Sequence, residues 1–152
     1  EALSGIDYFG ETVQAIRPGV IYANDELALD VVVGGHTSAL RVRHMWQGSS
    51  FYNPTHGIER ASKFDLVRGF DVGVGGHTHI SGLAREFNNG GRTGYAILCG
   101  AYKRIDGYAT RQGFPQANQA TAVAVVLDET GVLFCTGRLD AAADYMARMY
   151  DE

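Results

Sequence analysis

Residues 71–82 read DVGVGGHTHISG, a short hydrophobic run that meets a glycine pair and then presents two histidines two positions apart. Side chains at i and i+2 of a strand share one face, so His77 and His79 project together if strand geometry continues past the glycines. Two neutral imidazoles on one face make a natural metal bite. Gly75 and Gly76 can adopt backbone angles closed to other residues, and they let a ligand approach the main chain.

Working upstream, LRVRH at 40–44 alternates so that Leu40, Val42 and His44 share a face, and His44 closes the run. Strand ends are where α/β sheets place their chemistry. Strand, helix and strand follow one another from 39 to 76, with the central strand at 70–76. That pattern predicts parallel pairing and a helix packed on the sheet. The strand ends then lie side by side and gather His44, His77 and His79. Three imidazoles hold a zinc-like ion and leave one position open for water. Such an ion lowers the pKa of that water and polarises a phosphoryl or carbonyl oxygen, so hydrolysis is the reaction class the residues suggest.

The remaining segments frame this stretch. Tyr8–Ile16 has Phe9, Val13 and Ile16 at helical spacing, and Arg17-Pro18-Gly19 stops the helix. Residues 20–22 read as a brief strand, and 27–33 with 39–44 as a hairpin turning at Gly34-Gly35. The run VVVGGHT at 31–37 looks like VGVGGHT at 72–78 but lacks a second histidine, and His36 falls in the hairpin turn. Residues 45–57, MWQGSSFYNPTHG, are too rich in turn formers for a regular element and too aromatic for a linker, which marks a functional loop. Asn53 is a candidate substrate contact within it. His56 either opens the next helix with a solvated ring or serves the active site as the candidate catalytic residue. That helix, with Ile58 and Ala61 inward, is predicted to end around Arg68-Gly69. A hairpin at 84–87 and 95–99 turns through 88–91. Tyr102, Lys103 and Arg104 then follow a strand end, either as substrate contacts or as an ordinary solvated turn. A last hairpin, 121–127 with 132–136, precedes a helix over 139–150 with Leu139, Ala142, Met146 and Met149 inward.

The chain has 152 residues, 45% of them hydrophobic, enough for one domain with a core. No run approaches the roughly 20 apolar residues of a membrane span, and the first ten residues lack the pattern of a signal peptide. A soluble, cytoplasmic protein without membrane partners is expected. A formal net charge of −4 argues against a surface that coats nucleic acid while leaving room for a local basic patch. Cys99 and Cys135 sit in apolar runs without metal-type spacing, as buried free thiols do. The 20 glycines fall mostly at turns between strand-like runs, as in a sheet protein with tight connections.

Strand, GGHTH and hairpin together resemble the closing signature of the calcineurin-like metallophosphoesterases, and LRVRH looks like that family's preceding histidine motif. The likeness runs over residues 20 to 137 and extends to phage and bacterial phosphoesterases of the DNA-repair-nuclease type, where segments like HMWQGSSFYNPTHG and CGAYKRIDGYA occupy corresponding places. It implies an α/β fold: the C-terminal part of a phosphoesterase β-sandwich flanked by helices, with a mixed sheet and β-hairpins. It implies a dinuclear centre of manganese, iron or zinc, with His44 and His77 on one ion and His79 on the other. A hydroxide bound between the ions would attack a phosphodiester of a nucleotide or DNA, or a phosphomonoester. His56 and the Tyr102-Lys103-Arg104 turn fall where substrate contacts could lie, without the family pattern fixing their roles.

The chain departs from the family pattern upstream. The Asp-x-His, Gly-Asp and Asn-His motifs that supply the remaining ligands are absent between Glu1 and Val33. The expectation is therefore a C-terminal half, whose carboxylate ligands come from an N-terminal half or a partner chain. A homo-oligomer is possible. The alternative is a non-catalytic binding or assembly module that keeps the half-fold, and a mononuclear three-histidine zinc hydrolase is a third idea.

Overall fold

The computed structural model describes residues 7–48, 50, 52–64, 69–78, 82–101, 107, 111 and 121–150. The elements are α1 (Tyr8–Ile16), β1 (Glu26–Val33), β2 (His36–Arg43), α2 (His56–Lys63), β3 (Val72–Gly75), β4 (Leu83–Asn89), β5 (Arg92–Leu98), β6 (Ala124–Asp128), β7 (Gly131–Thr136) and α3 (Leu139–Tyr150). Five strands form a mixed sheet in the order β1-β2-β3-β5-β4, and β6 and β7 form a second, two-stranded sheet. The class is α/β with a mixed sheet, as the alternation of elements predicts.

The sheet is mixed for a reason visible in its connections. A two-residue turn joins β1 to β2 antiparallel, with Val33 opposite His36. Gly34 and Gly35 have φ of 55° and 89°, the signs a type I′ turn requires, and such turns match the twist of a hairpin. The chain crosses over through α2, so β3 lies parallel to β2 in register Leu40↔Val72 to Arg43↔Gly75. β3 is parallel to β5 as well, and β4 returns antiparallel at the edge. The carboxyl ends of β2, β3 and β5 therefore point to one rim.

The sequence VGVG of β3 sets the two faces of this sheet. Its valines face the β6–β7 hairpin, where Val72, Tyr95 and Ile97 pack with Val125, Val132 and Cys135. Its glycines face α2, where Trp46, Ile58, Ala61, Phe70, Ala96 and Leu98 form the other cluster. A Cβ on Gly73 would run into Ile58 Cγ2 and come within 2.8 Å of Phe70, and one on Gly75 would lie 2.9 Å from Trp46 Cδ1. Missing side chains thus let the helix and the tryptophan sit directly on the backbone. Outside the hairpin, Tyr145 of α3 packs edge-on against Phe134, with ring centroids 5.1 Å apart.

Several boundaries differ from expectation. Residues 20–22 form no strand: Gln14 Nε2 donates to the Val20 carbonyl, and Tyr22 packs on Phe9. β2 begins at His36, so that histidine is the first paired residue of a strand rather than a turn residue. α2 ends at Lys63, before the predicted Arg68-Gly69, and 65–68 lie outside the described residues. β3 is shorter than the predicted 70–76. Phe9 and Ile16 of α1 are exposed, and in α3 Leu139 and Met149 are exposed while Ala142 is buried. Among the described residues no helix is long and apolar enough to cross a membrane.

Candidate functional site

The rim formed by β2, β3 and β5 carries the histidines. His44 follows Arg43 directly, and its carbonyl accepts from Gly76 N at 3.1 Å, which ties the end of β2 to the end of β3. Cys99 N donates to the Gly75 carbonyl at 2.8 Å, tying β5 to the same point. Across this rim His44 Nε2 and His77 Nδ1 stand 2.9 Å apart, with the rings nearly perpendicular at 78° and both exposed. The parallel pairing read from the sequence thus brings His44 and His77 together.

The strand does not continue through His77. His77 has φ of 68°, and Thr78 N donates to the Gly76 carbonyl at 2.8 Å, closing a three-residue turn centred on the histidine. This bond and this φ belong to the strained, positive-φ form of the γ-turn, which costs of order 1–3 kcal/mol in a residue other than glycine. Period-2 projection therefore fails at the position where it was invoked. The turn, and not the strand, aims His77 at His44. His79, Tyr102, Lys103 and Arg104 lie outside the described residues.

Two facing imidazole nitrogens have two chemical readings. Without an ion, one ring donates its N–H to the other. With an ion, both lone pairs point at it: nitrogens held at about 2.0–2.1 Å with bond angles from 90° to tetrahedral are roughly 2.8–3.4 Å apart. The observed 2.9 Å lies at the 90° end of that span, so the separation admits a shared divalent ion and equally admits a hydrogen bond between the rings. Among the described residues no group of three or more His, Cys, Asp or Glu side chains could hold a metal by itself. Further ligands for such an ion would have to come from other residues.

A cleft of about 420 Å³ opens beside His44, between residues 21–25 and the strand ends, with Leu27, Val42, Val74 and Cys99 in its wall. On the other face, Trp46 anchors the loop that leaves His44. Its ring N–H donates to the Val74 carbonyl at 2.8 Å, and the Arg43 guanidinium stacks 5.1 Å from the ring centroid. Sequence reasoning overlooks Trp46, although a sole tryptophan two residues past a candidate ligand is a usable signal.

Asn53 and His56 sit where this loop enters α2. The Asn53 Oδ1 accepts from Thr55 N at 3.2 Å and from Arg85 NH1 at 2.9 Å, and its Nδ2 donates to Glu59 at 3.1 Å. The buried Thr55 hydroxyl lies within reach of both Asn53 Oδ1 and Glu59 Oε1. Asn53 therefore organises the start of α2, which leaves its amide little freedom to meet a substrate. His56 N donates to the Asn53 carbonyl at 3.0 Å, and its half-buried ring lies against Gly48. His36 is at the far end of β2, against Gly131 of the β6–β7 turn.

Both thiols are shifted toward the neutral form. Burial pushes the Cys99 thiol up, and burial followed by the Glu86 carboxylate pushes Cys135 up to about 12. Neither is poised as a nucleophile at neutral pH. Comparison with models of known protein families, with curated proteins and with solved structures yields no match.

Proposed function

We propose that the chain carries one side of a metal-dependent phosphoesterase centre, acting on phosphodiesters of nucleotides or DNA, or on phosphomonoesters. The observation that carries the reading is the His44–His77 pair, 2.9 Å apart on the rim of three parallel strands and aimed by a strained turn. Strain of this kind persists where the surrounding structure imposes it, and it clusters at functional sites. His44 and His77 would hold one divalent ion, manganese, iron or zinc, and the family resemblance assigns His79 to a second. When bound, the ions supply positive charge that polarises a phosphoryl oxygen and lowers the pKa of water. The chain's own part is positional. The Gly76-to-His44 backbone bond fixes one ring relative to the other, and the loop through Trp46 shapes the approach to the rim. Carboxylate ligands would come from an upstream half or a partner chain.

The test is hydrolysis of bis-p-nitrophenyl phosphate with added manganese, by the chain joined to its upstream half, alongside elemental analysis. The expected result is two ions per complex and turnover that falls at least about a hundredfold in His44→Ala or His77→Ala, since loss of a ligand removes the ion's contribution of several kcal/mol. Two ions bound without hydrolysis would sink the catalytic claim. A second reading, a binding or assembly module without catalysis, draws on the exposed Phe9, Ile16 and Ile21 and on the two-membered histidine pair. It requires that no ion be retained.

A further inference from the structure

We propose that His56 and Arg60 form a phosphate-binding subsite on α2, distinct from the His44–His77 pair and independent of any metal. The two residues are four apart on a helix, so their side chains rise from the same face. They converge over Gly48. The position a Cβ would take on that glycine lies 3.3 Å from Arg60 Cδ, 3.7 Å from His56 Cδ2 and 3.9 Å from Arg60 NH1. The convergence is imposed from the neighbouring backbone: Gly57 is buried, and a Cβ there would meet the Gly48 carbonyl at 2.8 Å and Trp46 Cβ at 3.0 Å. The loop and the first turn of the helix are thereby clamped together, which holds both side chains beside the Gly48 peptide.

The electrostatics of this corner are incomplete. His56 and Arg60 are each half-buried, and neither side chain has a hydrogen-bond or ion-pair partner among the described residues. The adjacent carboxylate is committed elsewhere. Glu59 accepts from Asn53 and from Thr55, and it faces Arg85 Nε at 3.8 Å. A permanently charged guanidinium on a half-buried residue thus has no counter-charge among the described residues, an arrangement that a bound anion completes. The fork of Arg60 matches two oxygens of a phosphate, and the imidazole N–H of His56 can donate to a third. A carboxylate has only two oxygens, so phosphate is the ligand class that uses all the donors.

The test is an NMR titration of the ¹⁵N-labelled full chain with inorganic phosphate in EDTA, at constant ionic strength, following the ring resonances of His56 with His36 as control. A saturable shift of His56 is expected, with His36 still. Arg60→Gln should weaken binding about tenfold or more, while Arg60→Lys should retain part of it, because charge-assisted bonds to the guanidinium are lost in the first and partly replaced in the second. Near-ultraviolet circular dichroism from Trp46 verifies that each variant is folded. A stationary His56, an equal affinity in Arg60→Gln, or the same shift from chloride would overturn the proposal. A short single-stranded oligodeoxynucleotide separates the sources. Tighter binding than phosphate, with a salt slope that falls by about one in Arg60→Gln, assigns the subsite to a backbone phosphate, whereas equal binding assigns it to free phosphate or a monoester. His44→Ala should leave the His56 response intact, so this proposal and the metal-centre reading fail separately.

Discussion

At the scale of single residues, His77 is the position where local preference and global arrangement conflict. Among the described residues it alone combines a side chain with a positive φ. The buried Thr78 hydroxyl beside it has no hydrogen-bond partner among them either. Replacing His77 by glycine relieves strain of about 1–3 kcal/mol and adds about 0.5–1 kcal/mol of chain entropy to be lost on folding. Urea denaturation should therefore find His77→Gly at least as stable as the parent, while divalent ions cease to raise its melting temperature. A clear loss of stability would mean that the ring holds the fold by packing rather than serving the site. The spacing of His77 and His79 reads in the sequence as a candidate metal bite, and the parallel crossover reads as what brings His44 near His77. The turn that aims His77 is not legible there, because a backbone angle imposed by neighbouring strand ends leaves no residue-type signature beyond Gly75-Gly76.

At the scale of elements, the decisive feature is the alternation in β3. Valine on one face and glycine on the other let a single four-residue strand carry a hairpin on one side and a helix on the other. Gly73→Ala places a methyl group against Ile58 and Phe70, in a core with no slack. A loss of about 1–3 kcal/mol is expected from overpacking, measurable as a lower urea midpoint with unchanged slope. Ile58→Ala in the same chain removes the clashing Cγ2, so the double variant should lose less than the sum of the two single losses; strictly additive losses would place the strain elsewhere. The periodicity of α2 is readable because it buries one face through Ile58 and Ala61, whereas β5 is covered on both faces and reads as a continuous apolar run. α1 is readable as a helix, with Asp7 accepting from Gly10 N at 2.9 Å at its start, but its apolar residues do not reveal that Phe9 and Ile16 stay exposed.

At the scale of the whole molecule, titratable groups bracket a window of maximal stability. Hydrogen bonds from Thr130, hydroxyl first and backbone N–H second, hold the Asp128 carboxyl below its ordinary range, and His36 adds to this across the two turns. A depressed carboxylate contributes stability that is present at neutral pH and lost as pH falls through its folded value. Cys99, Cys135 and Tyr95 are all raised, with burial the leading cause in each. Raised acids contribute stability that is full below their unfolded values, about 8.5 for a thiol, and lost as pH rises toward the folded ones. Melting temperature against pH should therefore show a plateau from about pH 5 to 8 with a fall on each side. Asp128→Asn should flatten the acid arm and Cys135→Ala the alkaline arm; arms that do not respond would assign the falls to other groups.

The sequence by itself determined the class of the fold, the three β-hairpins with glycine at or beside each turn, the parallel crossover from β2 to β3, and the arrival of His44 and His77 at neighbouring strand ends. Each of these follows from local periodicity or from a turn that only glycine allows, and such information is carried residue by residue. Only the tertiary structure decided that β3 turns its glycines toward α2, that Asn53 is consumed in building the start of that helix, that His77 leaves the strand, and that His56 and Arg60 meet over Gly48. Those outcomes depend on which surfaces come to face one another across the sheet, and contacts between segments distant in sequence leave no period to read in either segment alone.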